Sequence, residues 1–263
     1  MIEQIARADD PRLAQYAHVG DHAWLRDRGL FVAEGRLLAL RLIAQWPASV
    51  ESILVSPAAA DALKDAVPRG LPLYVAGEAI LERLTGFQFH RGCLAIGRRP
   101  QPLGLEAHYG ASRLLALEGI ANPDNIGGIF RVAAAFGVEG ILLDPTTADP
   151  LYRKAIRTSM GAVFSVPFAR IPDWPSGLTA LSDKGFTLAA LTPRGSTKLE
   201  DFACSHSGRV ILMLGSEGSG LSDAALALAR DRVRIPIDDS VDSLNVIVAA
   251  GIALAMLLPA PPP

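Results

Sequence analysis

From Arg113 onward one pattern repeats: a short apolar run, a loop, then a helix-forming stretch. RLLALEGI leads through ANPDNIGG into GIFRVAAAFG. GILLD, YRKAIRTSMGA, VFSVPFAR, TALSDKG, FTLAALTP, RVILMLG and DAALALAR follow. The last unit is IPI, read as a strand, with an acidic loop and an apolar helix opened by Asn245. Strands that are apolar throughout and alternate with helices predict an α/β domain with a mostly parallel sheet covered on both faces. Ligands of such sheets sit at the C-terminal strand ends. Three distinctive stretches fall at such ends: Asn122 to Val138, Leu212 to Leu221 and Ile235 to Leu254.

The first half reads differently. Ile2 to Ala44 carries helix-compatible patterns, with FVAEGR a strand-like entry to an amphipathic helix. VESILVS, LPLYVAG and GCLAIGRRP read as strands, separated by the helical AAADALKDAV and EAILERLTG. This predicts a smaller α/β layer domain. RRPQPLGLEAHYGAS, with two prolines and two glycines, is the expected linker, so residues 1–105 and 106–263 are expected to form separate domains.

A net charge of −2 argues against a polybasic chain that holds nucleic acid by charge alone. Residues 1–105 carry twelve Lys and Arg against eleven Asp and Glu, so the first domain has no charge excess of its own. Cys93 and Cys204 match no zinc or redox spacing and are expected to be buried thiols. The five histidines show no ligand spacing, so no metal is expected. The N-terminus lacks an apolar signal core, and the longest apolar run, Val246 to Leu258, is too short to span a bilayer. The expected location is the cytoplasm.

Each motif read alone has an ordinary explanation. The glycines of GSEGSG, at 215, 218 and 220, are in the wrong order for a dinucleotide fingerprint, which disfavours a nucleotide-binding oxidoreductase. Glu217 fits a helix-entry acid that offsets the dipole. Arg131, on an otherwise apolar helix, needs a carboxylate or phosphate partner if it is buried, or else it reaches solvent. Asn122 and Asp124 fit an Asx turn, and Ser243 and Asn245 fit a helix cap.

Taken together the three stretches are more specific. NPDNIGGIFRVAAAFGV, LGSEGSGL and IPIDDSVDSLNVIVAAGIAL, in that order, resemble the three motifs of the SpoU (TrmH) branch of the SPOUT RNA methyltransferases. DPLYRKAIRTSMGAVFSVP resembles the family's stretch between the first two. FVAEGR and TGFQFHRGCLAI look like its substrate-binding domain of ribosomal-protein L30e type. The resemblance implies a trefoil-knotted C-terminal domain, S-adenosylmethionine as methyl donor, and transfer to a ribose 2′-hydroxyl of RNA, ribosomal before transfer. It also implies a homodimer formed through the knotted domain.

By resemblance the catalytic cluster falls on Asn125, Arg131, Glu217, Ser243 and Asn245. The cofactor pocket falls on Leu191, Thr192, Gly215, Ile235, Ile237 and Leu244. Arg26, Arg28, Arg36, His90, Arg91, Arg153, Lys154 and Arg157 are the expected RNA contacts. Asp239 stands where the family usually has glycine, which bears on the loop's backbone conformation. Arg131 is expected to bind phosphate or stabilise the developing alkoxide, oriented by Glu217, because a guanidinium does not readily lose its proton. A non-catalytic RNA-binding module on the same fold is the competing reading. The presence of Arg131, Glu217 and Asn245 weighs against it.

Overall fold

The computed structural model describes residues 2–86 and 92–257. Contacts divide the chain into two compact units, one of Met1–Gln101 with Leu151–Phe164, the other of Pro102–Pro150 with Ser165–Pro263.

The first unit contains β1 (Ile2–Ile5), α1 (His22–Asp27), β2 (Leu30–Glu34), α2 (Arg36–Gln45), β3 (Val50–Val55), α3 (Pro57–Leu63), β4 (Leu73–Ala76), α4 (Glu78–Thr85) and β5 (Cys93–Arg98). Its sheet runs β1-β4-β3-β5-β2, with β5 antiparallel to both β3 and β2. α1 and α3 start where a side chain takes up a free N–H. Asp21 accepts from the Trp24 amide at 2.9 Å, and Ser56, followed by Pro57, accepts from Ala59 at 3.3 Å. Tyr16, fully buried, satisfies its hydroxyl on Ser52 Oγ at 2.8 Å.

The second unit is built on β6 (Arg113–Glu118), α5 (Pro123–Ala135) and β7 (Gly140–Leu143). The chain then passes through α6 (Arg153–Thr158), which belongs to the first unit, and returns as β8 (Phe168–Arg170). After that come α7 (Thr179–Ser182), β9 (Phe186–Leu191), β10 (Thr197–Lys198), α8 (Leu199–Ser205), β11 (Arg209–Gly215), α9 (Asp223–Leu228), β12 (Asp231–Arg234) and α10 (Val246–Leu257). All seven strands are parallel, in the order β10-β12-β9-β11-β6-β7-β8. The expected parallel α/β sheet is therefore present.

This order places the site. β6, β7 and β8 step outward in one direction, whereas β9 lies on the other side of β6 and the later β11 fills the place between them. The C-terminal ends of β12, β9 and β11 are thus adjacent although their sequences are not.

Two helices bring the polar motifs to these ends. α5 begins where Asn122 accepts from the Asp124 amide at 3.0 Å and Pro123 takes the first turn. Ile126, Ile129, Phe130 and Ala133 then form a buried stripe at helical spacing. Fully burying a large apolar side chain such as Phe130 contributes roughly 1.5–3 kcal/mol. α10 packs on α5 where Gly128 leaves room: a methyl there would stand 2.3 Å from Ile247 Cδ1.

IPI is not a strand. β12 is the preceding DRVR, and Ile235, Pro236 and Ile237 lie beyond its end. Proline has no N–H to donate to a ladder, which is consistent with pairing stopping at Arg234. Cys93 is buried and burial pushes its thiol up to about 12, but Cys204 is exposed on the polar side of α8, opposite Leu199 and Phe202.

Candidate active site

Asn125, Glu217 and Asn245 meet. Asn245 Nδ2 donates to Glu217 Oε1 at 2.8 Å and reaches Asn125 Oδ1 at 3.5 Å, the long limit of a hydrogen bond. The Asn245 side-chain oxygen, Oδ1, accepts from the Ile247 amide at 2.9 Å and caps α10. Capping and site chemistry, which the sequence left as alternatives, are both carried by this one side chain. Glu217 is also not the acid at the entry to α9. Ser222 caps that helix and Asp223 stands in its first turn, whereas Glu217 lies at the N-terminus of α10, where the dipole favours a carboxylate.

Glycine makes the loop after β11 possible. A Cβ on Gly215 would lie 2.2 Å from the Gly220 carbonyl carbon, because the loop folds back through a bridge between Ser216 and Gly220. Gly220 has φ +69°, and Ser216 Oγ lies 2.8 Å from Ser219 Oγ.

Arg131 is exposed on α5 and makes no side-chain hydrogen bond or ion pair among the described residues. Glu217 meets Asn245 rather than Arg131 within this chain. Ser243 is exposed and likewise without a side-chain hydrogen bond among the described residues.

Leu191 and Thr192 at the end of β9, Gly215 at the end of β11, Ile235 and Ile237 after β12, and Leu244 before α10 are all half-buried. The four aliphatic side chains leave apolar surface at the strand ends. Thr192 donates its amide to Val233 O at 2.9 Å, which holds the β9 turn against β12. Asp239 has no positive φ, since Met160 is the non-glycine residue with one among those described. An aspartate therefore costs no backbone strain there. The loop is shaped by Asp238, whose carboxylate accepts from the Ser240 amide at 2.9 Å and is held below its ordinary pKa by that residue.

A protein-family model described as the SpoU rRNA Methylase family matches residues 112–255. A Mycobacterium bovis protein named as an uncharacterized tRNA/rRNA methyltransferase is 38% identical over 260 residues, 96% of this chain and 90% of its own. The chain belongs to the SpoU rRNA methylase family. Its fold is that of solved SpoU-type enzymes. The AdoMet-bound rRNA methyltransferase of Sinorhizobium meliloti superposes with TM-score 0.82 at 24% identity, covering 97% of both chains. An RNA 2′-O ribose methyltransferase superposes with TM-score 0.77 at 25% identity, covering 98% of both.

In this SpoU chain, sequence reasoning missed Glu118 at the end of β6. Its carboxylate accepts from Trp174 Nε1, the Ser222 amide and Ser222 Oγ, each at 2.8 Å. It thereby ties the loops that follow β6, β8 and β11. An acid ending an apolar strand just before glycine, in LALEGI, was the available signal. Asp144, buried at the end of β7, is a second such anchor. Burial raises its pKa, but the Thr146 and Thr147 hydroxyls and the Gly119 and Thr147 amides outweigh that and hold it below the ordinary value.

The expected RNA contacts scatter within the first unit. Arg153 and Arg157 of α6 face Glu34 of β2 at 3.7 and 3.9 Å, so both are already near a carboxylate. Lys154 also has a partner. Arg26 pairs with Asp27 at 3.4 Å. The Arg28 guanidinium sits 4.1 Å from the Trp24 ring centroid, and His18 stacks on that indole at 4.0 Å. Arg36 is exposed at the start of α2. His90 and Arg91 lie outside the described residues.

Proposed function

We propose that this RNA methyltransferase takes its methyl group from S-adenosylmethionine and delivers it to a ribose 2′-oxygen of ribosomal or transfer RNA, as a homodimer. The observation that carries the reading is the meeting of Asn125, Glu217 and Asn245 beside half-buried aliphatic side chains at adjacent strand ends.

The residues fit the donor. Leu191, Ile235, Ile237 and Leu244 offer apolar surface to its adenine and aliphatic parts, and the folded-back loop at Gly215 brings main chain to the same edge. Bound there, the sulfonium would supply an electrophilic methyl for in-line displacement. Asn245, fixed by Glu217 and by its cap on α10, presents a rigid amide to the reacting groups, and rigid placement lowers the barrier. Arg131, exposed and without a partner among the described residues, is available to an RNA phosphate or to the developing alkoxide. It acts by charge, since guanidinium stays protonated. The 25% identical ribose methyltransferase supports the 2′-oxygen as acceptor.

The insertion of β11 between β9 and β6 supports the trefoil knot that the family resemblance implies. α10 supports the homodimer. It carries no polar residue, yet leaves Val248 50% and Met256 39% exposed, which is unusual for a helix apolar on all sides. Among the described residues no helix is long and apolar enough to cross a membrane. The cytoplasm, where RNA is modified, remains the proposed location.

Isothermal titration with S-adenosylmethionine tests the donor site. The wild type is expected to bind, and Ile237→Asp and Leu244→Asp to weaken binding at least tenfold while remaining folded by circular dichroism. Unchanged binding in both would remove the site from this place.

A further inference from the structure

The edge of the second sheet carries cations that the family motifs do not include. Lys198 of β10 and Arg234 of β12 are register partners in a parallel ladder, so their side chains leave the same face of the sheet from adjacent strands. Arg232, two residues before Arg234, shares that face and donates to Leu226 O at the end of α9 at 3.1 Å. Arg194 lies in the turn between β9 and β10. That turn is pressed on β12 so closely that a Cβ on Gly195 would stand 2.5 Å from the Val233 carbonyl carbon.

Arg194, Lys198 and Arg234 are exposed, and none has a side-chain hydrogen bond or ion pair among the described residues. Like charges directly opposite on a ladder destabilise it. Lysine on an edge strand can serve to block unwanted strand pairing. That explains Lys198 at most, because β12 is paired on both sides and Arg234 guards no edge. A polyanion relieves the repulsion between Lys198 and Arg234, and Arg194 is carried on the turn pressed against the same strand. The strip ends at the site, since Arg234 precedes Ile235 directly and the β9 turn bearing Arg194 begins at Thr192.

We propose that Arg194, Lys198 and Arg234 form a phosphate-binding strip that holds the RNA strand flanking the nucleotide to be methylated. The choice of RNA rests on the function proposed above, while the affinity for phosphodiester is a property of the strip itself.

The test uses the full chain with all three residues changed to glutamine. A fluorescein-labelled oligouridylate is titrated by anisotropy between about 50 and 200 mM salt, where each phosphate contact on a single strand contributes roughly 0.7 to the slope of log affinity against log salt. The triple variant is expected to lose about 2 from that slope. With RNA from cells lacking the gene, its KM is expected to rise tenfold or more, with kcat and S-adenosylmethionine affinity unchanged. The charge-conserving set Arg194→Lys, Lys198→Arg and Arg234→Lys should behave as wild type. An unaltered slope and KM in the triple variant would overturn the strip. If the triple variant precipitates, Arg234→Gln alone decides it: a slope lower by about 0.7 supports the strip and no change overturns it. If the wild type methylates no RNA but the slope still depends on these cations, the strip stands and the proposed reaction falls.

Discussion

Asn245 donates its side-chain amide to Glu217 Oε1 at 2.8 Å while its side-chain oxygen accepts the Ile247 amide at 2.9 Å. The residue that starts α10 therefore also joins the last motif of the chain to the middle one, and through Asn125 to the first. The two duties separate by substitution. Asn245→Asp keeps an oxygen for the cap but loses the donor and sets a second carboxylate against Glu217. It is expected to change the urea midpoint little and to lower methyl transfer on the order of 100-fold, as misplacement at a reacting centre does. Asn245→Ala is expected to lose the same activity and about 1 kcal/mol of stability besides.

The two glycines at the site differ in what a methyl would strike. At Gly128 it meets the β-branched Ile247 side chain, at Cδ1 (2.3 Å) and also at Cγ1 (2.8 Å) and Cγ2 (3.1 Å), and at Gly215 it meets the backbone of Gly220 and Leu221. Gly128→Ala is expected to cost about 1–3 kcal/mol with S-adenosylmethionine binding little changed, since Ile247 must shift at the α5–α10 contact and alanine's helix propensity offsets only part of that crowding. Gly215→Ala is expected to cost about 1–3 kcal/mol and to weaken S-adenosylmethionine binding as the loop reopens. Urea unfolding and calorimetry of both variants check this.

His108 is buried and its Nε2 has no hydrogen-bond partner among the described residues. Burial pushes its pKa below the ordinary imidazole value. The unfolded chain therefore takes up a proton at higher pH than the folded one. This contribution to stability is full above the ordinary value of about 6.5 and is lost as pH falls toward and through the lower folded value. Thermal melts of His108→Leu are expected to lose less midpoint than wild type between about pH 7 and pH 5.

The exposed apolar residues of α10 give the homodimer its test. Val248→Glu is expected to convert a dimeric mass in light scattering to a monomeric one at micromolar concentration, leaving the α5 packing at Ile247 intact. A wild type that is already monomeric there would contradict the dimer.

The alternation of apolar strands with helices made most of the second sheet legible, because β6, β7, β9 and β11 are largely buried and read as continuous apolar runs, whereas β12, the DRVR strand, does not. Short pairings were not legible. β1 and β10 are four and two residues long and exist through partners far off in sequence, β4 and β12. The Asn125–Asn245–Glu217 meeting was anticipated through family resemblance and not through spacing, since Asn125 and Asn245 are 120 residues apart. Glu34 illustrates the opposite difficulty. Nothing near it in sequence says that Arg153 and Arg157 face its carboxylate, so their basic character read as free for RNA.

The most direct measurement of the central claim is methyl transfer followed by alkaline hydrolysis. RNA from cells lacking the gene is incubated with the protein and tritiated S-adenosylmethionine, then cleaved with alkali, which needs a free 2′-hydroxyl. The expected result is label in alkali-resistant dinucleotides, abolished by Asn245→Asp. Label recovered only in mononucleotides would place the methyl on a base, and no label in any RNA would contradict the site as drawn.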